Sequence, residues 1–125
     1  MNFIPSDSAP AAIGPYSQAV RVGNLLFTSG QIPLDPETME LVDDNIETQA
    51  HRVFKNLHAV LKAADATFEN VVKASVFLKD LGDFQALNSI YAHYFGDHKP
   101  VRTTIQVAKL PLDCRVEIEV IAELP

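Results

Sequence analysis

Pro100-Val101-Arg102-Thr103-Thr104-Ile105-Gln106-Val107 is the stretch on which the architecture turns. Side chains of a strand point to opposite faces in turn, so Val101, Thr103, Ile105 and Val107 share one face and Arg102, Thr104 and Gln106 the other. Val116-Glu117-Ile118-Glu119-Val120 repeats the alternation, with both carboxylates opposite the valines and isoleucine. Taken at face value the two runs form a hairpin. Its apolar face lies under helices, and its bare face carries Arg102, Thr104, Glu117 and Glu119. Arg offers a planar donor fork that binds a carboxylate at two points, so such a face suits a small anion. A solvated outer sheet face accounts for the same residues.

Upstream, Tyr16–Val22 and Leu25–Ser29 read as strands joined at Gly23-Asn24, two residues that tolerate the positive φ of a tight turn. Residues 1–15, rich in Pro, Ser and Ala, read as an extended arm. Asp44, with Glu47 three residues on, resembles a capping box. Ile46, Ala50, Val53, Phe54, Leu57, Val60, Leu61 and Ala64 follow with helical spacing. Val71–Leu78 is almost continuously apolar and reads as a central strand. Asp83 stands where it caps a second helix bearing Phe84, Leu87, Tyr91, Tyr94 and Phe95, which Gly96 ends. The order predicts one α+β domain over residues 1–125, a mixed β-sheet with two helices on one face. The far sheet face is left bare, which points to self-association.

The 125 residues, 47% hydrophobic and 21% charged, have the composition of a globular domain. The formal net charge is −6 and no cluster of Lys and Arg interrupts it, so no nucleic-acid partner is expected. Cys114 is the single cysteine, and an intrachain disulfide is impossible. Met1–Ser8 has neither a basic region nor a long apolar run, and no later stretch has the length to cross a bilayer. A cytoplasmic protein with no membrane partner is the expectation.

The chemistry-bearing residues narrow the function further. His51, His58, His93 and His98 show no metal-ligand spacing, and no metal is expected. Ser29 lacks the setting of a nucleophile elbow, and Asp113 beside Cys114 raises a thiol pKa rather than lowering it. Asn88 falls on the apolar stripe of the second helix, where an amide must find a partner. It is either a satisfied structural amide or one that reaches a site at a subunit boundary.

Ala9-Pro10-Ala11-Ala12-Ile13-Gly14-Pro15-Tyr16, Thr28-Ser29-Gly30-Gln31-Ile32-Pro33, Val76–Leu81, Pro100-Val101-Arg102, Leu110-Pro111 and Val116-Glu117-Ile118-Glu119 together resemble the RidA (YjgF) family of reactive-intermediate deaminases, collinearly from about residue 9 to 122. The resemblance implies a chorismate-mutase-like fold and a homotrimer with a cleft at each subunit interface. It implies hydrolysis of 2-imino acids, such as 2-iminopropanoate and 2-iminobutanoate, to 2-keto acids and ammonia, with no cofactor. Such imines arise from 2-aminoacrylate and its homologues, released by pyridoxal-phosphate enzymes. Arg102 matches the family's carboxylate-binding arginine and Glu117 its acid. Tyr16, Ser29, Gly30 and Asn88 match other cleft positions. Thr104 stands where many members carry a cysteine, which leaves Thr104 to orient water or substrate. The segment Gly96–Pro100 is a few residues shorter than in relatives. A keto-acid-binding module without turnover and an endoribonuclease or translation inhibitor are the alternatives, the latter disfavoured by the charge.

Overall fold

Gly23, at a φ of 60°, makes the tight turn between β2 (Ala19–Val22) and β3 (Leu25–Thr28), an antiparallel hairpin as the sequence predicts. The structure, a computed structural model, describes residues 1–125. The other elements are β1 (Asn2–Phe3), α1 (Ile46–Ala63), β4 (Val71–Leu78), α2 (Phe84–Phe95), β5 (Val101–Gln106) and β6 (Val116–Glu123). The six strands form one mixed sheet in the order β1-β2-β3-β6-β4-β5, and the class is α+β. The N-terminal arm adds the short edge strand β1, where the sequence suggested only an extended segment.

β5 and β6 do not form the expected hairpin. α2 is a crossover between β4 and β5, and a crossover of that length makes a parallel pair. β5 therefore lies outside β4, while β6 enters between β3 and β4, antiparallel to both. That place satisfies the backbone groups on both of its edges.

Ala74, Val76, Leu78, Val116, Ile118 and Val120 form the buried sheet face. They pack against Val53, Phe54, Leu57, Val60 and Leu61 of α1 and Leu87 and Ile90 of α2. Burying each large side chain contributes about 1.5–3 kcal/mol. Phe54 stacks on Tyr94 at 4.7 Å between centroids and meets Phe68, Tyr91 and Phe95 edge-on. The helical stripe read in the sequence is this core.

In β5 the polarity of the alternation is inverted. The parallel register sets Arg102 beside Ala74 and Thr104 beside Val76, so both polar residues face the helix layer. Val101 and Ile105, 67% and 43% exposed, point the other way. Period-two patterning gives the alternation of faces, and only the register says which face is covered. β6 has the expected polarity. Glu117 and Glu119 lie on the uncovered face, with Phe27, Phe77 and Ile121.

Two caps also differ from expectation. Asn45, not Asp44, caps α1, its side chain accepting from the Thr48 N–H at 2.8 Å. Asp44 instead accepts from Arg115 Nε at 2.8 Å. Asp83 precedes α2 without capping it, its carboxylate 3.8 Å from Arg115 Nη1. Gly96, at a φ of 60°, closes α2 by donating to the Ala92 carbonyl, as predicted.

Buried amides fix the irregular segments. Gln18 holds Ser6 and Pro10 of the N-terminal arm, Asn56 donates to the Ile32 and Leu34 carbonyls, and Gln49 accepts from the Arg115 N–H.

These contacts separate the two cap candidates experimentally. Asn45→Ala is expected to cost about 0.5–2 kcal/mol through a lost cap bond. Asp44→Ala removes only an exposed ion pair and is expected to cost less than about 1 kcal/mol. Urea unfolding of both variants checks the ordering.

Candidate functional site

Phe84, Asn88 and Tyr91 lie four and three residues apart, so they share one face of α2, and that face meets Arg102. Arg102 Nη1 donates to Asn88 Oδ1 at 2.8 Å. Its guanidinium carbon lies 4.7 Å from the Tyr91 ring centroid and 5.6 Å from that of Phe84. A cation over a ring gains about 0.5–2 kcal/mol, more as water is excluded. Asn88 is thus both a satisfied amide and the group that orients Arg102. The other guanidinium donors find no acceptor within the chain, and no carboxylate pairs with Arg102. A fork held along one edge and free along the other is prepared for an incoming anion.

Two hydroxyls add to this half-site. Tyr91 Oη and Thr104 Oγ1 are buried without a hydrogen-bond partner, and leaving such a group unpaired costs about 1–3 kcal/mol. Burial raises the Tyr91 pKa and the Arg102 charge partly opposes the rise, so the phenol stays a donor at neutral pH. Tyr91, which the sequence placed only in the core, joins this candidate site through its ring and its unpaired hydroxyl. Its signal was the three-residue step from Asn88.

The second half-site forms around β6. Gln31 and Ile118 exchange backbone hydrogen bonds at 2.8 and 3.2 Å, which sets Gly30 against the side chain of Glu117. A β-carbon at Gly30 would stand 2.8 Å from Glu117 Cδ and closer still to Oε2, so only glycine admits the carboxylate in this position. The Glu117 pKa is raised, first by burial and then by Glu119, two residues along the same face. Ser29 Oγ donates to the Ser17 carbonyl at 2.5 Å, fixing the loop that carries Gly30. Tyr16, 55% exposed, shares a surface concavity with Ser29.

The sequence-predicted residues therefore gather in two groups. Arg102, Asn88 and Thr104 stand in the helix layer, while Glu117 lies with Gly30 on the uncovered face. Within one chain the sheet separates Arg102 from Glu117, which corrects the expectation that both share a face. Cys114 belongs to neither group. It is fully buried, and burial pushes its pKa up to about 11, so it is a thiol at neutral pH. His51 pairs with Tyr94 Oη at 2.9 Å, and His98 Nε2 lies 2.6 Å from the Val71 carbonyl.

Gly30→Ala tests the second group. The new methyl is expected to push the flexible Glu117 carboxylate toward water, which costs little stability but removes the burial that raises its pKa. NMR titration of labelled Glu117 should show a lower pKa than in the parent, with a thermal midpoint close to the parent's.

With this geometry in place, comparison with known proteins locates the chain. The family model described as Endoribonuclease L-PSP matches residues 6–124. Reactive Intermediate Deaminase A of Arabidopsis thaliana is 48% identical over 121 residues, 97% of this chain and 65% of that protein. A RutC family protein of Pyrococcus abyssi is 50% identical over 117 residues, 94% of this chain and 92% of its own. The crystal structure of RidA from an Antarctic Psychrobacter superposes with a TM-score of 0.95 at 45% identity, covering 99% of this chain and all of that one. The YjgF gene product of E. coli gives 0.93 at 42% identity, covering 98% of each chain. The chain belongs to the RidA (YjgF) family, whose model bears the description Endoribonuclease L-PSP.

Proposed function

We propose that this protein is a hydrolytic deaminase converting small 2-imino acids, such as 2-iminopropanoate and 2-iminobutanoate, to 2-keto acids and ammonia. The observation that carries the reading is the Arg102 guanidinium, held by Asn88 and Tyr91 with its other donors unpaired. A neutral ligand would leave that half-buried charge uncompensated, whereas a carboxylate meets it in two bonds. Membership of a family that includes a Reactive Intermediate Deaminase A supports the reaction class.

The working site is completed by a second copy of the chain. Arg102 of one copy binds the substrate carboxylate, and Glu117 of another approaches C2 from across the interface. The uncovered sheet face, with Phe27, Val101 and Ile105 exposed, supports association into a homotrimer. Ionised Glu117 takes a proton from water, whose oxygen adds to C2 while the C=N electron pair moves to nitrogen. Glu117 returns that proton to the nitrogen to give the carbinolamine, whose hydroxyl proton then passes through Glu117 to the amino group as it collapses. The C–N bond breaks, C2 becomes a carbonyl, and ammonia leaves. Thr104 Oγ1 and Tyr91 Oη, unpaired in the chain, are available to orient water or the imine. Positioning of a hydrolysable imine beside a base supplies the acceleration, and no cofactor is needed. The net charge of −6, with no cluster of Lys and Arg in the sequence, weighs against an RNA substrate and so against the activity in the family model's description.

Two experiments test this reading. Arg102→Ala and Glu117→Gln are each expected to lose most imine hydrolysis. Arg102→Ala also loses roughly 1.5–3 kcal/mol of keto-acid binding, and Glu117→Gln retains that binding. Refolding the two inactive variants together at equal concentration should restore about a quarter of the parental rate, because random assembly joins an intact Arg102 to an intact Glu117 in that fraction of interfaces. No recovery would defeat the shared site, and full activity of Arg102→Ala would defeat the deaminase assignment. The pH profile supplies the second experiment. A base with a raised pKa places the acid limb of kcat/KM above the ordinary carboxylate range, and Glu119 contributes to that rise. Glu119→Gln removes the repulsion, so the limb is expected to move to lower pH.

A further inference from the structure

Beside Arg102, on the flank away from β6, lies a concavity of about 480 Å³. It is walled by Tyr91 and Phe95 of α2, by the loop residues His98, Lys99 and Pro100, and by Arg102 itself. That volume falls within the range of pockets that hold drug-sized ligands, well beyond the needs of a three-carbon imine.

Its charge is the unexpected part. The chain has 16 Asp and Glu against 10 Lys and Arg, yet no carboxylate lines this concavity, while Arg102 and Lys99 both do. Neither cation has an ion-pair partner in the chain. The nearby end of α2 would repel an anion, but two of its last four carbonyls, those of Ala92 and Phe95, are occupied. The Gly96 N–H donates to Ala92 and the His98 N–H to Phe95, at 2.9 and 3.1 Å. His98 is itself anchored, its Nε2 2.6 Å from the Val71 carbonyl, so the loop that carries Lys99 is tied to the sheet. Two free cations on one concave wall focus a positive local potential in a protein whose net charge is −6.

Lys99 and Arg102 are three residues apart, so their α-carbons are separated by at most about 11 Å. Both side chains are long enough to close on one ligand between them. Resting on the deaminase reading of Arg102, we propose that this concavity is a second anion subsite that directs the enzyme to 2-imino dicarboxylates. Arg102 takes the carboxylate next to the imine, and Lys99 takes the distal carboxylate of a four- or five-carbon substrate. The aromatic walls pack the methylenes between them. The hydrolytic step is unchanged, because the second carboxylate lies outside the bonds that form and break.

Lys99 is exposed, so its substitution does not threaten the fold. Parent, Lys99→Ala and Lys99→Glu proteins are compared on 2-iminoglutarate and on 2-iminopentanoate, which has the same chain length without the distal charge. The products 2-ketoglutarate and 2-ketopentanoate are titrated in parallel by calorimetry. The parent is expected to favour the dicarboxylate. Lys99→Ala should lower the dicarboxylate-to-monocarboxylate ratio of kcat/KM by about fivefold, the scale of a solvent-exposed ion pair. Lys99→Glu should invert the preference. Equal handling of both imines by the parent, or a ratio unmoved in Lys99→Glu, overturns the subsite. A parent that hydrolyses neither of these imines nor 2-iminopropanoate, run alongside them, overturns the deaminase reading instead. The calorimetric preference for 2-ketoglutarate, and its loss in Lys99→Glu, then still decides the subsite.

Discussion

Arg102 is drawn into the layer between α2 and β5 by the parallel register with β4, and Asn88 and the Tyr91 ring receive it there. A guanidinium in that layer is expensive unless it is hydrogen-bonded and packed. The stripe Phe84, Asn88, Tyr91 provides the packing and one bond, and leaves the outward donors to a ligand. The same register sends Val101 and Ile105 to the uncovered face, since a strand cannot turn one residue inward without turning its neighbours outward. One pairing thus fixes both the place of Arg102 and the exposed apolar residues of the opposite face.

Much of the architecture was legible because local rules decide it. The Gly23-Asn24 turn, the α1 stripe through Phe54 and Leu61, and the apolar β4 each follow from periodicity or from φ tolerance. What failed depended on non-local choices. The alternation in residues 101–107 is real, but which face is covered depends on pairing with Ala74 and Val76 across the sheet. The proximity of β5 and β6 in sequence suggested a hairpin, yet β6 satisfies more backbone groups between β3 and β4. Asp44 and Asn45 are adjacent cap formers, and an Arg115 distant in sequence draws Asp44 away.

For the candidate site, Arg102, Asn88 and Glu117 were singled out chiefly through family resemblance, because spacing says nothing of the sheet that separates Arg102 from Glu117. Asn88 alone gave an independent signal, as a polar residue on an apolar helix stripe. Tyr91 hid because a tyrosine on that stripe is an ordinary core residue. Only the unpaired hydroxyl and the cation above its ring set it apart. Gln18, Gln49 and Asn56 were illegible for a similar reason. Their role is to bond backbone far away in sequence, and no local pattern encodes a partner.

The separation of the half-sites constrains how copies of the chain can combine. Arg102 and Glu117 are on opposite sides of one sheet, so a rigid copy cannot present both to the same neighbour through a single flat contact. In the proposed shared site, a copy that gives its Arg102 to one neighbour must offer its Glu117 to another. Such an interface is heterologous, and it ends in a filament unless the rotation closes it into a ring. The proposed trimer is a small closed solution that would leave no half-site without its complement. The charges run the same way, with Arg102 and Lys99 on one half and Glu117 and Glu119 on the other. Head-to-tail contact brings unlike charges together, whereas face-to-face pairing of the carboxylate halves would oppose like ones and push the already raised Glu117 pKa higher still.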